Sequence, residues 1–136
     1  MTGHLNEFNY GQIKVDSVTI DNFWLQGDSR INQFQQIDFL KRLYHSELPI
    51  SERTERIMKE MMVIKQNERY ILRGKTGWSI RNGKNNGWFV GYVQSKNKVY
   101  FFATNVEPKE DFNMEMFPMI RKEITFKALK QVQMIN

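Results

Sequence analysis

The spacing of apolar positions changes character midway along the chain. Between residues 32 and 62 they recur at intervals of three and four. Phe34, Ile37, Leu40, Tyr44 and Leu48 form one stripe, with Asn32 placed to cap the helix and Pro49 to stop it. Ser51 can cap a second helix, whose Ile57, Met58, Met61 and Met62 share a face. After Asn67 the apolar residues crowd together and are mostly aromatic or β-branched. The pattern predicts strands over 69–73, 76–80, 88–94 and 99–105. Ser95-Lys96-Asn97-Lys98 reads as a hairpin turn, and 81–87 as a longer Gly/Asn-rich connection. In the third strand Phe89 and Val93 point to one side and Trp88, Val90 and Tyr92 to the other, so both faces of the sheet are expected to be covered. Pro118 suits the first turn of a last helix carrying Ile120, Ile124, Ala128 and Val132 along one stripe. Residues 9–30 are polar, interrupted by Gly11 and Gly27. They read as a long loop with one turn at Asp21-Asn22-Phe23-Trp24, of a length that often signals function.

The predicted fold class is therefore α+β, an antiparallel sheet of three to four strands flanked by helices. Its parts are a loop region (1–31), helices (32–64), a sheet (68–106) and a terminal helix (118–134), within one domain or part of one. With 40% hydrophobic and 13% aromatic residues the chain can build a core. No run approaches the roughly 20 apolar residues of a membrane-spanning helix, and residues 1–10 lack the basic patch and apolar run of a secretory signal. Cysteine is absent, which excludes disulfides, thiolate metal sites and cysteine nucleophiles. The net charge of +5 is spread among acids: Arg53, Arg56 and Lys59 lie between Glu52, Glu55 and Glu60, as on a solvated helix face.

Chemistry concentrates around Lys75-Thr76-Gly77. Alone the tripeptide reads as a strand edge and turn. It lies, however, in Tyr70-Ile71-Leu72-Arg73-Gly74-Lys75-Thr76-Gly77-Trp78, followed by Gly87-Trp88-Phe89-Val90-Gly91-Tyr92-Val93 and then Val99-Tyr100-Phe101-Phe102-Ala103-Thr104-Asn105. This succession resembles the KTG strand and the next two strands of serine β-lactamases and penicillin-binding proteins. Tyr10-Gly11-Gln12 stands where class D enzymes carry Y-G-N. Ile20-Asp21-Asn22-Phe23-Trp24-Leu25 is similar to the stretch bearing their active-site tryptophan, and Pro118-Met119-Ile120-Arg121-Lys122 to the segment bearing their substrate-carboxylate arginine. The chain thus resembles the C-terminal half of a class D serine β-lactamase domain, an incomplete β-lactamase/transpeptidase-like fold.

In that family a serine attacks the lactam carbonyl and water hydrolyses the resulting acyl-enzyme. The resemblance implies that Lys75 helps hold the anionic substrate and that Thr76 hydrogen-bonds its carboxylate. Gly77 would let the substrate approach the strand edge, and the backbone N–H of Trp78 would be an oxyanion-hole donor. Arg121 would grip the carboxylate through its bidentate fork; the plain alternative is a helix-surface ion pair. Trp24 would shelter the carboxylated lysine that serves the family as general base, and Tyr10 would line the cleft. Gln12 departs from the family's asparagine, and the longer amide puts that hydrogen bond in doubt.

The family's S-x-x-K helix and S-x-V loop lie upstream of Y-G-N, and Tyr10 is preceded by only nine residues here, so neither is expected in place. The one S-x-x-K string, Ser95 to Lys98, falls in the predicted hairpin turn, where it cannot set serine and lysine on one face of a buried helix start. This predicts a chain inactive by itself, with no cofactor of its own and no carboxylated lysine. His4 and His45 have no metal-ligand spacing. A strand edge and a helical face left uncovered predict a homodimer or a need for the missing N-terminal half. The resemblance implies a β-lactam as the parent's ligand and a periplasmic or secreted parent. Two other readings compete. One is a β-lactam sensor or penicillin-binding domain, which acylates without release. The other is a nucleic-acid platform built on Trp88, Phe89, Tyr92, Tyr100, Phe101 and Phe102, which the distribution of aromatics over both strand faces disfavours.

Overall fold

The computed structural model describes residues 6–15, 17–18 and 29–135. Its elements are α1 (Gln33–Tyr44), α2 (Glu52–Met61), β1 (Val63–Gln66), β2 (Tyr70–Arg81), β3 (Lys84–Ser95), β4 (Val99–Val106) and α3 (Phe117–Gln131). The four strands form one antiparallel sheet in the order β1-β2-β3-β4. This is the expected α+β architecture.

β2 and β3 pair without interruption over twelve residues, from Tyr70↔Ser95 to Arg81↔Lys84. The turn between them is only Asn82-Gly83, with φ of 50° and 74°. An Asn-Gly pair in the left-handed region is the two-residue hairpin turn whose twist matches that of the strands. The longer connection expected over 81–87 is therefore strand on either side of this turn. Likewise, 69–73 and 76–80 are halves of one strand. The helical region expected over 32–64 includes Val63 and Ile64, the first two residues of β1. The helix instead stops at Met61, and the chain turns back to lie against β2.

Each face of the sheet has its own cover. Phe89 and Val93 are fully buried on the face under α3, where Phe89 meets Phe126 edge-on and Val93 joins Tyr70, Leu72, Leu129 and Met134. Tyr92 is buried on the opposite face beneath α1, with Tyr44 and Phe101 against its ring. Burying each such phenylalanine contributes roughly 1.5–3 kcal/mol relative to exposure. The division of β3 into two apolar faces was expected from its sequence.

The helical stripes differ from expectation. Asn32 does cap α1, reciprocally with Gln35. Yet Phe34 is 86% exposed, and the buried residues are Gln36, Leu40 and Leu43. α1 also ends at Tyr44, before Pro49, as Ser46 turns into the left-handed region (φ 61°). Ser51 caps α2, but none of that helix is fully buried, and Met61 is 80% exposed. In α3 the buried stripe is Phe117, Arg121, Thr125 and Leu129, while Ile124 and Val132 of the expected stripe are exposed. Polar contacts turn this helix by about one residue. Thr125 Oγ1 bonds Thr104 Oγ1 on β4, and Arg121 reaches the carbonyl of Gly77 on β2.

Residues 12–14 and 29–30 lie side by side. Gln12 and Arg30 exchange backbone hydrogen bonds of 2.8 Å, and the Ser29 hydroxyl accepts from Lys14 N while donating to Lys14 O. The turn expected at Asp21–Trp24 lies outside the described residues.

Gly74 and Gly91 face each other across β2 and β3, where a side chain on Gly91 would meet backbone. A Cβ on Gly91 would stand 2.0 Å from the Arg73 carbonyl oxygen, whereas one on Gly77 would meet only Trp88 Cβ at 3.6 Å. Gly91→Ala is accordingly expected to destabilise the chain by about 3 kcal/mol, at the upper end for overpacking. Gly77→Ala is expected to change stability by less than ~1 kcal/mol. Urea denaturation of the two variants checks this, and equal effects would contradict the packing described.

Candidate functional site

The candidate site is built on the half of β2 that β1 does not reach. β1 pairs with β2 at Ile71, Leu72 and Arg73, and the last bond between them runs from Gly74 N to Met62 O. Backbone groups of alternate residues point to the same side of a strand. The N–H groups of Thr76 and Trp78 therefore face the same way as that of Gly74, but with no strand opposite. Those of Lys75 and Gly77 face β3, where their partners are Val90 and Trp88. Among the described residues the Thr76 and Trp78 amides have no backbone partner, which is what an oxyanion donor requires.

Beside this edge lies a cleft of about 760 Å³. Lys75, Thr76, Gly77, Trp78 and Ser79 form one wall, and Tyr10, Ile13 and residues 29–33 with Gln36 the other. Its floor is the sheet face carrying Asn86, Trp88, Val90 and Asn105. Charge is unevenly distributed: Arg30, Lys75, Arg81 and Lys84 border the cleft against Glu107. Such a surplus favours an anionic ligand.

Tyr10 is set in the wall by three contacts. Arg42 Nη1 donates to Phe8 O and holds the preceding segment on α1. The Tyr10 ring meets Phe39 edge-on at 4.7 Å, and its hydroxyl donates to the buried Gln36 Oε1 at 3.0 Å. Gly11, at φ 64°, permits the turn into the Gln12–Arg30 pair, since a Cβ there would lie 2.5 Å from Arg30 O. Burial raises the Tyr10 phenol above its ordinary value.

Lys75 projects from the α1 face of β2, exposed, with Nζ donating to Thr76 O at 2.6 Å. Thr76 and Trp78 lie on the α3 face, where Trp78 packs on Phe117. Arg121 does not line the cleft. It is only 8% exposed, its Nε donates to Pro118 O and its Nη1 to Gly77 O. It thus ties α3 to β2, with Nη2 and one Nη1 hydrogen left for a ligand at the strand edge; the side-on Nε fork is already used. Desolvation lowers its pKa, although a guanidinium stays charged. Trp24 lies outside the described residues. Gln12 uses its backbone to pair with Arg30, and its side chain does not line the cleft. Ser95 sits at the end of β3 with its hydroxyl donating to Lys98 O, so the S-x-x-K string there is a turn. His45 is the C-cap of α1, stacked edge-on against Tyr44.

Sequence reading missed Arg30, Arg81, Lys84, Asn86 and Asn105. Their signal was weak, since each is one polar residue in a polar stretch. Only the pairing of β2 with β3 and of Gln12 with Arg30 gathers them. Arg81 also donates from Nη2 to Ser29 O, fastening the hairpin to the loop. The amides of Asn86 and Asn105 bond each other, and Asn86 also donates to Glu107. Among the described residues no group of three His, Cys, Asp or Glu side chains is arranged to hold a metal, and no helix is long and apolar enough to cross a membrane.

The chain is similar to known proteins in sequence and in fold. The profile of the penicillin binding protein transpeptidase domain matches residues 1–129. β-Lactamase OXA-48 of Klebsiella pneumoniae is 40% identical over 99% of this chain and 49% of its own length. β-Lactamase OXA-10 of Pseudomonas aeruginosa is 35% identical over 100% of this chain and 50% of its own. Among solved structures, the class D β-lactamase YbXI from Nostoc superposes with a TM-score of 0.87 at 40% identity, covering 98% of this chain and 54% of that one. The class D β-lactamase from Sebaldella termitidis gives 0.87 at 38%, covering 97% and 53%. The chain spans about half the length of the curated relatives it matches, and corresponds to their C-terminal portion.

A raised phenol makes a signed prediction. Because the folded pKa of Tyr10 exceeds the unfolded value of about 10, its contribution to stability is complete below pH 10. It is lost as pH rises through the folded value. Tyr10→Phe should cost about 1 kcal/mol at pH 8, from the lost hydrogen bond, and less at pH 11. Tyr92 is raised in the same direction by burial and cancels between wild type and variant. Urea denaturation at both pH values checks this, and a cost independent of pH would contradict it.

Proposed function

The chain belongs to the penicillin-binding protein transpeptidase-domain family, and we propose that it forms the substrate-gripping and oxyanion-binding wall of a class D serine β-lactamase. One observation carries this reading: the open β2 edge, with the Thr76 and Trp78 N–H groups aimed outward beside Lys75 in a cationic cleft.

A β-lactam carries a carboxylate and a strained amide, and the two sides of the site suit these two groups. Lys75 and Arg30 draw the anion into the cleft, while Thr76 and the remaining Arg121 donors hold its carboxylate at the strand edge. Gly77, without a side chain toward the cleft, lets the lactam lie against the strand. When a serine oxygen bonds to the lactam carbonyl carbon, negative charge gathers on the carbonyl oxygen. The Trp78 N–H is placed to meet it as the C–N bond breaks and the nitrogen takes a proton. Water then releases the acid. Tyr10 walls the cleft on the loop side. Trp24 belongs to the shelter of the family's carboxylated lysine, which supplies the general base when present.

Neither the serine nor that lysine has a counterpart among these 136 residues. The sole S-x-x-K string is locked in the β3–β4 turn. The chain is therefore inactive by itself, and the reaction belongs to a whole protein that also contains the S-x-x-K helix. The names of the relatives favour a hydrolase over a sensor. The exposed apolar residues of α2, such as Ile57 and Met61, together with the unpaired edge of β4, supply the surface for that half or for a second copy. A periplasmic or secreted location follows for the parent.

The test uses the 136-residue chain. With a chromogenic cephalosporin it should show no turnover above background and no acyl adduct by mass spectrometry; either would contradict the assignment of a wall without a nucleophile. It should bind benzylpenicillin reversibly. Lys75→Ala should weaken binding about tenfold, the worth of one charge-assisted hydrogen bond. Absence of binding, or binding indifferent to Lys75, would sink the substrate reading. Light scattering on the same samples should show dimers, and a cooperatively melting monomer would contradict the association.

A further inference from the structure

Trp78 contributes more than its backbone. The residue is 41% exposed at the strand edge, yet its ring is fixed from three directions. The indole Nε1 donates to Asn85 Oδ1 at 2.9 Å across the hairpin, and Phe117 of α3 meets the ring at 5.1 Å and 62°. The Arg121 guanidinium carbon lies over the ring, 6.0 Å from its centroid. The residue opposite Trp78 in the ladder is Gly87. A Cβ there would stand 2.9 Å from Phe117 Cζ, so only glycine lets Phe117 come close enough to the sheet to back the indole.

Arg121 needs such a guide. Two of its donors, Nε and Nη1, are spent on Pro118 O and Gly77 O. The Nε bond is long, at 3.3 Å, so tilting of the guanidinium about Nη1 still decides where Nη2 points. The guanidinium carbon lies over the indole ring, and the attraction of a cation to the ring face beside a buried arginine favours one orientation. The bond from Nε1 to Asn85 in turn prevents the indole from flipping off the arginine.

We propose that the Trp78 side chain, clamped by Asn85, is the positioning residue that aims the remaining N–H donors of Arg121 at a substrate carboxylate. This rests on the reading of Arg121 as part of the carboxylate grip. It adds a side-chain role for the residue after Lys75-Thr76-Gly77, and a role for Asn85, which takes no other part in the site.

The test separates this role from mere support of the fold. Affinity of the full 136-residue chain is measured for benzylpenicillin and for its methyl ester, and the acid-to-ester ratio is the readout. Loss of packing weakens both ligands alike, whereas loss of aim weakens only the acid. Trp78→Leu should lower the ratio about fivefold, the worth of a partly desolvated cation–π contact. Asn85→Leu should lower it in part, and Asn85→Gln, which keeps a neutral amide acceptor, should lower it less. Trp78→Phe keeps a ring on Phe117 and secures the comparison if the leucine variant folds poorly.

Arg121→Ala tells the two claims apart. If it lowers the ratio and Trp78→Leu does not, the positioning role is overturned while the grip stands. If it leaves the ratio unchanged, or if neither ligand binds, the carboxylate reading fails. The aim of the arginine is then read without ligand, from the side-chain Nε–H resonance of Arg121 by NMR. Trp78→Leu should move that resonance downfield, out of the shielding of the indole face, and an unmoved resonance would overturn the proposal.

Discussion

Everything in the site follows from the register between β2 and β3. The Asn82-Gly83 turn admits only two residues, so Arg81 pairs with Lys84 and every pair behind it is determined. A slip of one residue would carry Lys75 from the cleft face to the α3 face and would turn the Thr76 and Trp78 amides into the ladder. The shortness of β1 then matters as much as the length of its neighbours. It pairs with β2 only up to Arg73, so the second half of β2 keeps an open edge. An open edge is usually a liability for aggregation; here it borders a cationic cleft.

α3 completes the edge from the other face at some cost in packing. Its buried stripe holds an arginine and a threonine where isoleucines were available one position away. Burying a guanidinium is unfavourable unless its donors are satisfied, and here two backbone carbonyls and an indole face share that task. Thr125 is likewise matched by Thr104. The helix is oriented by polar contacts to the strands that form the site, and Ile124 and Val132 are left outside as a consequence.

Much of the architecture was legible in the sequence. Periodicity marked α1, β3 and β4, the two covers of the sheet and the cap at Asn32, because those features depend on local spacing. The two-residue turn was masked by its surroundings. Asn-Gly occurs twice, at 82–83 and 86–87, and the polar stretch 82–86 looked like a loop although only its first two residues turn. β1 was masked by Val63 and Ile64, which prolong a helical pattern and become strand only through pairing. The stripe of α3 was misjudged because Arg121 and Thr125 read as solvent-facing until their partners on β2 and β4 are known. Lys75 to Trp78, one continuous segment that lines the cleft, stood out through the family resemblance. Those brought together by pairing alone, Arg30, Arg81, Lys84 and Asn86, left no local mark. Trp24 lies outside the described residues, and Arg121 proved to be a strut at the site's edge rather than part of the cleft lining.

The open edge of β2 is the central feature, and amide hydrogen exchange followed residue by residue by NMR tests it most directly. The Lys75 and Gly77 amides, bonded into β3, should be protected, while those of Thr76 and Trp78 should exchange at rates near those of solvent-exposed amides. Protection of Thr76 and Trp78 equal to that of their neighbours would mean that the edge is covered, and that no oxyanion-binding donor stands free there.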